Sequence, residues 1–230
     1  MSQRDRAYEV YPFPCIGSFE FLEFQLSQRN LLYPRLLSRL QSGGKFLDIG
    51  CCLGHDIRKL IFDGVPSANV AGVELRQGFI DIGFELFRDK EKFQGRMVQG
   101  SITEDGEPWE SLKGQFDVVN FGMVFHCLTK EEQLLALERA LGALKGGKGD
   151  SIIGICVGTL DGRIENWTGK MVPAHNVETF KALVGEFGEK TGTKWEVNVE
   201  LDSGCSMWDG KNDWVGPRIR RCVFELTRAE

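Results

Sequence analysis

The chain has 230 residues, 42% of them hydrophobic, enough for one α/β domain with a full core and too apolar for a disordered chain. A formal net charge of -5 with no basic run argues against nucleic acid as a partner. Seven scattered cysteines without a Cys-x-x-Cys pair read as reduced thiols, not as a disulfide or zinc framework, so no metal is expected. No run is long enough to span a membrane, and the polar start Met-Ser-Gln-Arg-Asp-Arg carries no apolar signal segment, so the expected compartment is the cytoplasm.

In chain order, residues 1–15 read as an extended arm, because Pro12 and Pro14 break any helix. Residues 18–26 have helical spacing, with a short strand as the alternative. Residues 31–40 place Leu32, Leu36, Leu37 and Leu40 on one helical face, and Gly43-Gly44 ends that helix. A buried strand at 46–49 runs into the glycine turn 50–54, and residues 57–62 read as the following helix, stopping at Gly64. A second strand is expected at 70–74, a helix at 79–87, a third strand at 96–99 and a fourth at 116–121. Thr129 and Glu132 form a capping box for a helix whose Leu134, Leu137, Leu141 and Leu144 share a stripe. Residues 151–157 read as a strand buried on both faces, and Asn176 caps a helix running to about Glu189. Residues 195–201 and 219–227 alternate like antiparallel strands. Strands joined by helices imply a parallel sheet with right-handed crossovers. Segments 161–173 and 202–217 fit no sheet pattern and read as long binding loops. With no linker in view, residues 1–230 form one domain: an arm and lid helices at 1–43, then a core at 44–230.

The chemistry concentrates at 45–58. A strand, a glycine turn and a helix N-terminus form a nucleotide cradle in which glycine lets the backbone approach a ligand. Val70-Ala-Gly-Val-Glu74 ends in a carboxylate placed to accept from both hydroxyls of a ribose.

Leu47-Asp-Ile-Gly-Cys-Cys-Leu-Gly54 resembles the first motif of class I S-adenosylmethionine-dependent methyltransferases, commonly acid-x-Gly-x-Gly-x-Gly. Asp48, Gly50 and Gly54 match it, and Cys52 stands where the middle glycine usually is. Pro14-Cys-Ile-Gly-Ser-Phe19, the Gly-Cys-Cys stretch and Thr191-Gly-Thr-Lys-Trp195 are similar to small fungal methyltransferases of secondary metabolism, including those that esterify carboxyl groups in meroterpenoid pathways. The resemblance implies an α/β, Rossmann-like class I fold: a seven-stranded, mostly parallel sheet with a C-terminal antiparallel hairpin and an N-terminal helical lid. It also implies S-adenosyl-L-methionine as cofactor, and a homodimer in which the arm could take part.

Carried over to this chain, Asp48 and the backbone of Gly50, Cys51 and Gly54 would hold the amino-acid part of the cofactor, largely through the turn's amides. Glu74 would hold the ribose, Leu75 would flank the adenosine, Ser101 would accept from the adenine amino group and Ile102 would pack on its face. Asn120, Phe121 and the residues to His126 correspond to the fourth motif, along the methionyl side and into the substrate pocket. Phe13, Phe19, Phe125, Trp167, Met171 and Trp208 suit a bulky apolar substrate, and Arg218, with Arg163 and Lys170, is a candidate clamp for a substrate carboxylate. His126 would orient the acceptor or act as a base if the acceptor were a hydroxyl or phenol. For Ser101 the alternative is a turn role, and for each aromatic it is core packing. Two other functions stay open at this point. A non-catalytic interaction domain would explain the off-pattern Cys52 and Ser101. A nicotinamide-dependent oxidoreductase would use the same cradle, but Gly-x-Gly-x-x-Gly and Tyr-x-x-x-Lys are both missing.

Overall fold

A computed structural model describes residues 2–19, 22, 24, 26–28, 32–167, 169–202 and 218–230. The chain divides into two compact units, Met1–Ser111 and Leu112–Glu230.

The first unit holds α1 (Gln3–Val10), α2 (Pro14–Gly17), α3 (Leu32–Gln41), β1 (Phe46–Ile49), α4 (His55–Phe62), β2 (Val70–Glu74), α5 (Gln77–Phe87) and β3 (Arg96–Gln99), with α6 (Trp109–Leu112) at the boundary. β1 and β2 are buried along their whole length, as unbroken apolar runs in a parallel sheet require. They pair in parallel, Phe46 with Val70 through Ile49 with Val73, and β3 pairs with the far side of β2.

The expected extended arm is instead helical. Ser2 Oγ accepts from the Asp5 amide and Asp5 Oδ2 from the Ser2 amide, a capping box that starts α1. The prolines do not interrupt it: Pro12 follows the helix, and Pro14 opens α2 at a position where a missing N–H costs nothing. Of the segment expected at 18–26, Ser18, Phe19 and Leu26 lie in turns and Leu22 in a 3-10 turn, while residues 20, 21, 23 and 25 lie outside the described residues.

The second unit holds β4 (Val118–Gly122), α7 (Lys130–Ala143), β5 (Ser151–Thr159), β6 (Arg163–Trp167), β7 (Lys170–Ala174), α8 (Val177–Thr191), β8 (Trp195–Asp202) and β9 (Ile219–Arg228). Thr129 with Glu132 and Asn176 with Thr179 cap α7 and α8 reciprocally. β5 pairs in parallel with β4 and antiparallel with β9, which pairs antiparallel with β8. The seven main strands run β3-β2-β1-β4-β5-β9-β8, the mostly parallel sheet with a C-terminal antiparallel hairpin that the alternation predicts. Phe121, Phe125, Phe180 and Phe224 pack ring against ring in the core of this unit. A Cβ at Gly154 would lie 2.2 Å from the Phe224 ring, which explains the glycine inside Ile-Ile-Gly-Ile.

Segment 161–173 is also corrected. It forms the hairpin β6–β7, with Ile164 opposite Pro173 and Asn166 opposite Met171. Val172 and Ala174 are buried on one face, whereas Ile164 and Met171 are exposed on the other. Residues 203–217 lie outside the described residues. Among the described residues no helix is long and apolar enough to cross a membrane.

Candidate functional site

β1 delivers the chain into the glycine turn with Asp48 at its buried end, 4% exposed. Gly50 and Gly54 adopt φ of 75° and 68°, the left-handed region that glycine enters freely. A Cβ on Gly54 would sit 2.6 Å from both Arg58 Nη1 and Met97 Cε, so any side chain there would displace the ends of these two side chains on top of its backbone strain. α5 approaches just as closely, since a Cβ on Gly83 would lie 2.4 Å from the Leu53 carbonyl oxygen. Cys52 holds φ 51° where the related motif has glycine. Its side chain packs, with Val10, Tyr11, Phe13 and Cys15, on the buried cluster of Ala7, Ile16, Leu53, Phe79 and Ile82. That packing offsets the left-handed backbone cost of a non-glycine residue, about 1 kcal/mol or more.

Four of the turn's five amides are engaged within the fold. Gly50 and Cys51 both donate to the Val73 carbonyl (2.8 and 3.1 Å), and Gly54 donates to the Cys51 carbonyl (2.7 Å). Cys52 donates to Glu74 Oε2 (2.9 Å). With those four amides engaged in the fold, what the turn presents is chiefly its shape, between the carboxylates of Asp48 and Glu74. Arg58, not foreseen, locks the turn from below. Nη1 donates to the carbonyls of Leu53 (2.8 Å) and Gly54 (3.2 Å), and Nε and Nη2 donate to Asp89. Phe84, Phe87 and Phe93 surround its guanidinium. Only its spacing, four residues after Gly54 on a helix, could have hinted at this.

Glu74 ends β2 and is 6% exposed. Oε2 takes the Cys52 amide and Oε1 the Arg76 amide (3.0 Å), so the carboxylate both fastens the turn and keeps lone pairs for a further donor. Burial pushes its pKa up, and the two amides oppose that. Leu75 beside it is half-exposed. Arg76 lies over the Tyr11 ring at 4.1 Å, and Val10 touches Gly78, so the N-terminal helices reach the tip of β2. Ser101 is engaged in its own turn, Oγ bonding Thr103 Oγ1 (2.9 Å) and accepting the Thr103 amide. Ile102 next to it is partly buried. Burial raises the Cys51 and Cys52 thiols, with the nearby carboxylates adding to it, so both stay protonated at neutral pH and a redox pair is disfavoured.

In the second unit, β4 ends at Gly122 while β5 runs on to Thr159. Met123 N to Ile155 O (2.7 Å) is the last rung between them. The next amide on that edge, Val157 N–H, donates instead to His126 Nδ1 at 3.4 Å. An accepting Nδ1 leaves the imidazole proton on Nε2. Burial lowers the His126 pKa to about 4, so the ring is neutral. His126 sits in a 3-10 turn, Phe125–Cys127, which the fully buried Gln133 fastens by donating to the carbonyls of Phe125 (2.9 Å) and Leu128 (3.3 Å). Gln133 Oε1 in turn faces His175 Nε2 at 2.8 Å.

The expected substrate residues divide. Phe125 is fully buried among Phe121, Phe180 and Phe224, a core residue because the turn points it inward. Phe121 is equally enclosed, and Asn120 is 2% exposed. Phe13 stacks on Phe79 at 6.1 Å and is partly buried. Phe19 is 49% exposed with Arg4 over its ring, and Met171 is exposed on β7. Trp167 lies in β6, and Trp208 falls outside the described residues. The proposed clamps are occupied: Arg218 bonds Asp161 (2.7 Å), Lys170 bonds Glu132 (2.8 Å) and Arg163 bonds Glu165.

A strand–glycine turn–helix beside a second strand tipped by a buried acid, in this strand order, defines a class I S-adenosylmethionine-dependent methyltransferase. Comparison with known proteins agrees. Residues 1–22 match a family model described as Meroterpenoid methyltransferase N-terminal domain, and residues 46–147 match Methyltransferase domain. The chain is 38% identical over 242 residues to O-methyltransferase phiE of a fungal species, covering 98% of this chain and 80% of that protein. It is 35% identical over 230 residues to O-methyltransferase atr3 of Stereocaulon alpinum, covering 98% of this chain and 65% of the relative. Among solved structures, a phosphoethanolamine N-methyltransferase of Haemonchus contortus with bound S-adenosylhomocysteine superposes with a TM-score of 0.63 at 15% identity, over 100% of this chain and 61% of that one, a likeness of fold alone. The chain therefore belongs to the class I methyltransferases, in the family of these fungal enzymes, and S-adenosylmethionine is its cofactor.

Proposed function

We propose that the chain methylates an oxygen of a bulky, apolar fungal secondary metabolite, and that this oxygen belongs to a carboxylate of a meroterpenoid-type acid, giving a methyl ester. The family match at residues 1–22 and the O-methyltransferase relatives support the substrate class. His126 carries the choice of acceptor. Its Nδ1 accepts from the Val157 amide and burial lowers its pKa to about 4, so it is a poor base at neutral pH and stays a neutral, orienting ring. An ionised carboxylate has no proton to lose, whereas a hydroxyl or phenol needs a base. In this reading Glu74 receives the ribose hydroxyls, Asp48 and the Gly50–Gly54 turn seat the amino-acid part, and Leu75 and Ile102 flank the base. Asn120 and Phe121 support the methionyl side from within β4.

When bound, S-adenosylmethionine supplies an electrophilic methyl group on a sulfonium. The chain's own residues then have to align the acceptor and exclude water, which accounts for the lack of a nucleophile–base constellation. Calorimetry should show binding of S-adenosylmethionine and its demethylated product, and none of NAD. Transfer of labelled methyl to a panel of terpenoid acids, phenols and small acids should place the label in a base-labile ester. His126→Ala should keep ester formation within about tenfold, since a true general base contributes ~10²–10⁴-fold. Label in a phenol ether that vanishes in His126→Ala would establish the second reading, a phenol methyltransferase with His126 as base.

A further inference from the structure

With Arg163, Lys170 and Arg218 all paired at the surface, one buried cation in the second unit stands apart. Arg221, in β9, is 6% exposed. Its Nη2 bonds Asp202, its register partner on β8. Nε and Nη1 are buried and have no hydrogen-bond partner among the described residues. A guanidinium presents five N–H donors in a fixed plane. Buried donors left unmade are rare in native folds and point to a ligand, an ion or water not yet in place.

Its surroundings narrow the ligand. Across the sheet Arg221 lies opposite Val157, the residue whose amide engages His126. Side chains of directly paired residues emerge on one face, so Val157, Ile155 and Val223 share the face from which Arg221 projects. Val223 and Ile155 are both buried. Glu200, opposite Val223, and Glu225, opposite Ile153, lie further along that face, and nearest Arg221 are Val157, Ile155 and Val223; a cation with open donors beside these aliphatic residues fits an apolar molecule that ends in a carboxylate. Arginine holds carboxylates through its planar fork, and burial strengthens such a bond relative to a surface pair. Among the described residues, Asp202 bonds the guanidinium through a single nitrogen and leaves two.

We propose that the Arg221 guanidinium receives the substrate's carboxylate, in the role the sequence had offered to Arg218. This rests on the carboxylate reading above and adds to it a named residue and a location at the outer end of β5.

The test uses the full chain, with farnesoic acid as the anionic apolar probe and farnesamide as its neutral match. With arginine side chains labelled with nitrogen-15, and the Arg221 Nε–H resonance assigned through Arg221→Lys, farnesoate should shift that resonance and farnesamide should not. Arg221→Met should weaken farnesoate binding by about thirtyfold or more and leave farnesamide unchanged. Because that substitution takes a partner from Asp202, the double variant Arg221→Met with Asp202→Asn repeats the measurement with both charges removed. An Arg221 resonance that stays fixed up to saturating farnesoate overturns the proposal, as does equal weakening of acid and amide. Acids esterified by Arg221→Met with wild-type KM would reject Arg221 alone. Label reaching only phenols in the wild-type enzyme would reject the carboxylate reading itself.

Discussion

Burial lifts the Glu74 carboxyl above its ordinary value while the Arg76 and Cys52 amides pull it back, so this group is poised between two needs. It must be ionised to accept from ribose hydroxyls, yet it sits where ionisation is costly. As pH falls toward the raised pKa, Glu74 takes up a proton and loses acceptor capacity. Affinity for S-adenosylmethionine should therefore weaken on acidification, and at a higher pH than an ordinary glutamate would give. Glu74→Gln should raise the Kd by about 10–100-fold, the loss of one or two charge-assisted hydrogen bonds. It should also flatten the acidic limb. Calorimetry from about pH 5 to 8 on both proteins checks this; a wild-type profile already flat over that range would remove Glu74 from the ribose site.

The two N-terminal helices matter through where they pack. Val10, Tyr11, Phe13 and Cys15 cover Leu53 of the glycine turn and Phe79 and Ile82 of α5, and Arg6 pairs with Glu85 on the same helix. Deleting residues 1–17 would expose Leu53, Phe79 and Ile82, each worth ~1.5–3 kcal/mol when fully buried. We expect a lower melting temperature together with weaker cofactor binding and slower turnover; unchanged affinity and turnover would show that these helices are no lid. Such elements were hard to read from sequence for a physical reason. Strands β1, β2 and β5 announce themselves by apolar runs, and α7 and α8 by their caps, all local signals. α1 is charge-rich, with Ala7 its only fully buried residue, and is set by a capping box and by contacts with α5 far along the chain. The β6–β7 hairpin likewise depends on which of its faces is covered. The acid at Glu74 and the Gly50–Gly54 turn were legible because motif spacing encodes them. The reason for Cys52, the lock by Arg58 and the burial of Arg221 are tertiary facts, and an arginine within an alternating strand reads as solvent-facing until its neighbours are known.

Across the chain, acid should act through the histidines before most carboxylates. All three are shifted downward by burial: His126 and His175 to about 4, and His55 in the same direction. A histidine held neutral in the fold takes up a proton more readily once unfolded. Its stabilisation is complete above the unfolded value of 6.5 and is lost progressively as pH falls from there toward 4. Glu74 and Asp56, whose pKa values are raised by burial, act the other way, gaining stability on acidification as they protonate. His175 isolates the first effect, since it is 4% exposed, with Gln133 on Nε2 and Thr179 on Nδ1. One pKa unit corresponds to ~1.4 kcal/mol, so between pH 7 and pH 5 His175 alone should withdraw ~2 kcal/mol. In a chain of this length that is a fall of about 4–8 °C in melting temperature. His175→Gln should be less stable at pH 7, because it breaks the hydrogen bond to Gln133, but its melting temperature should decline less steeply toward pH 5. Parallel declines in the two proteins would mean that His175 is already charged in the folded state, or that the carboxylates govern this range.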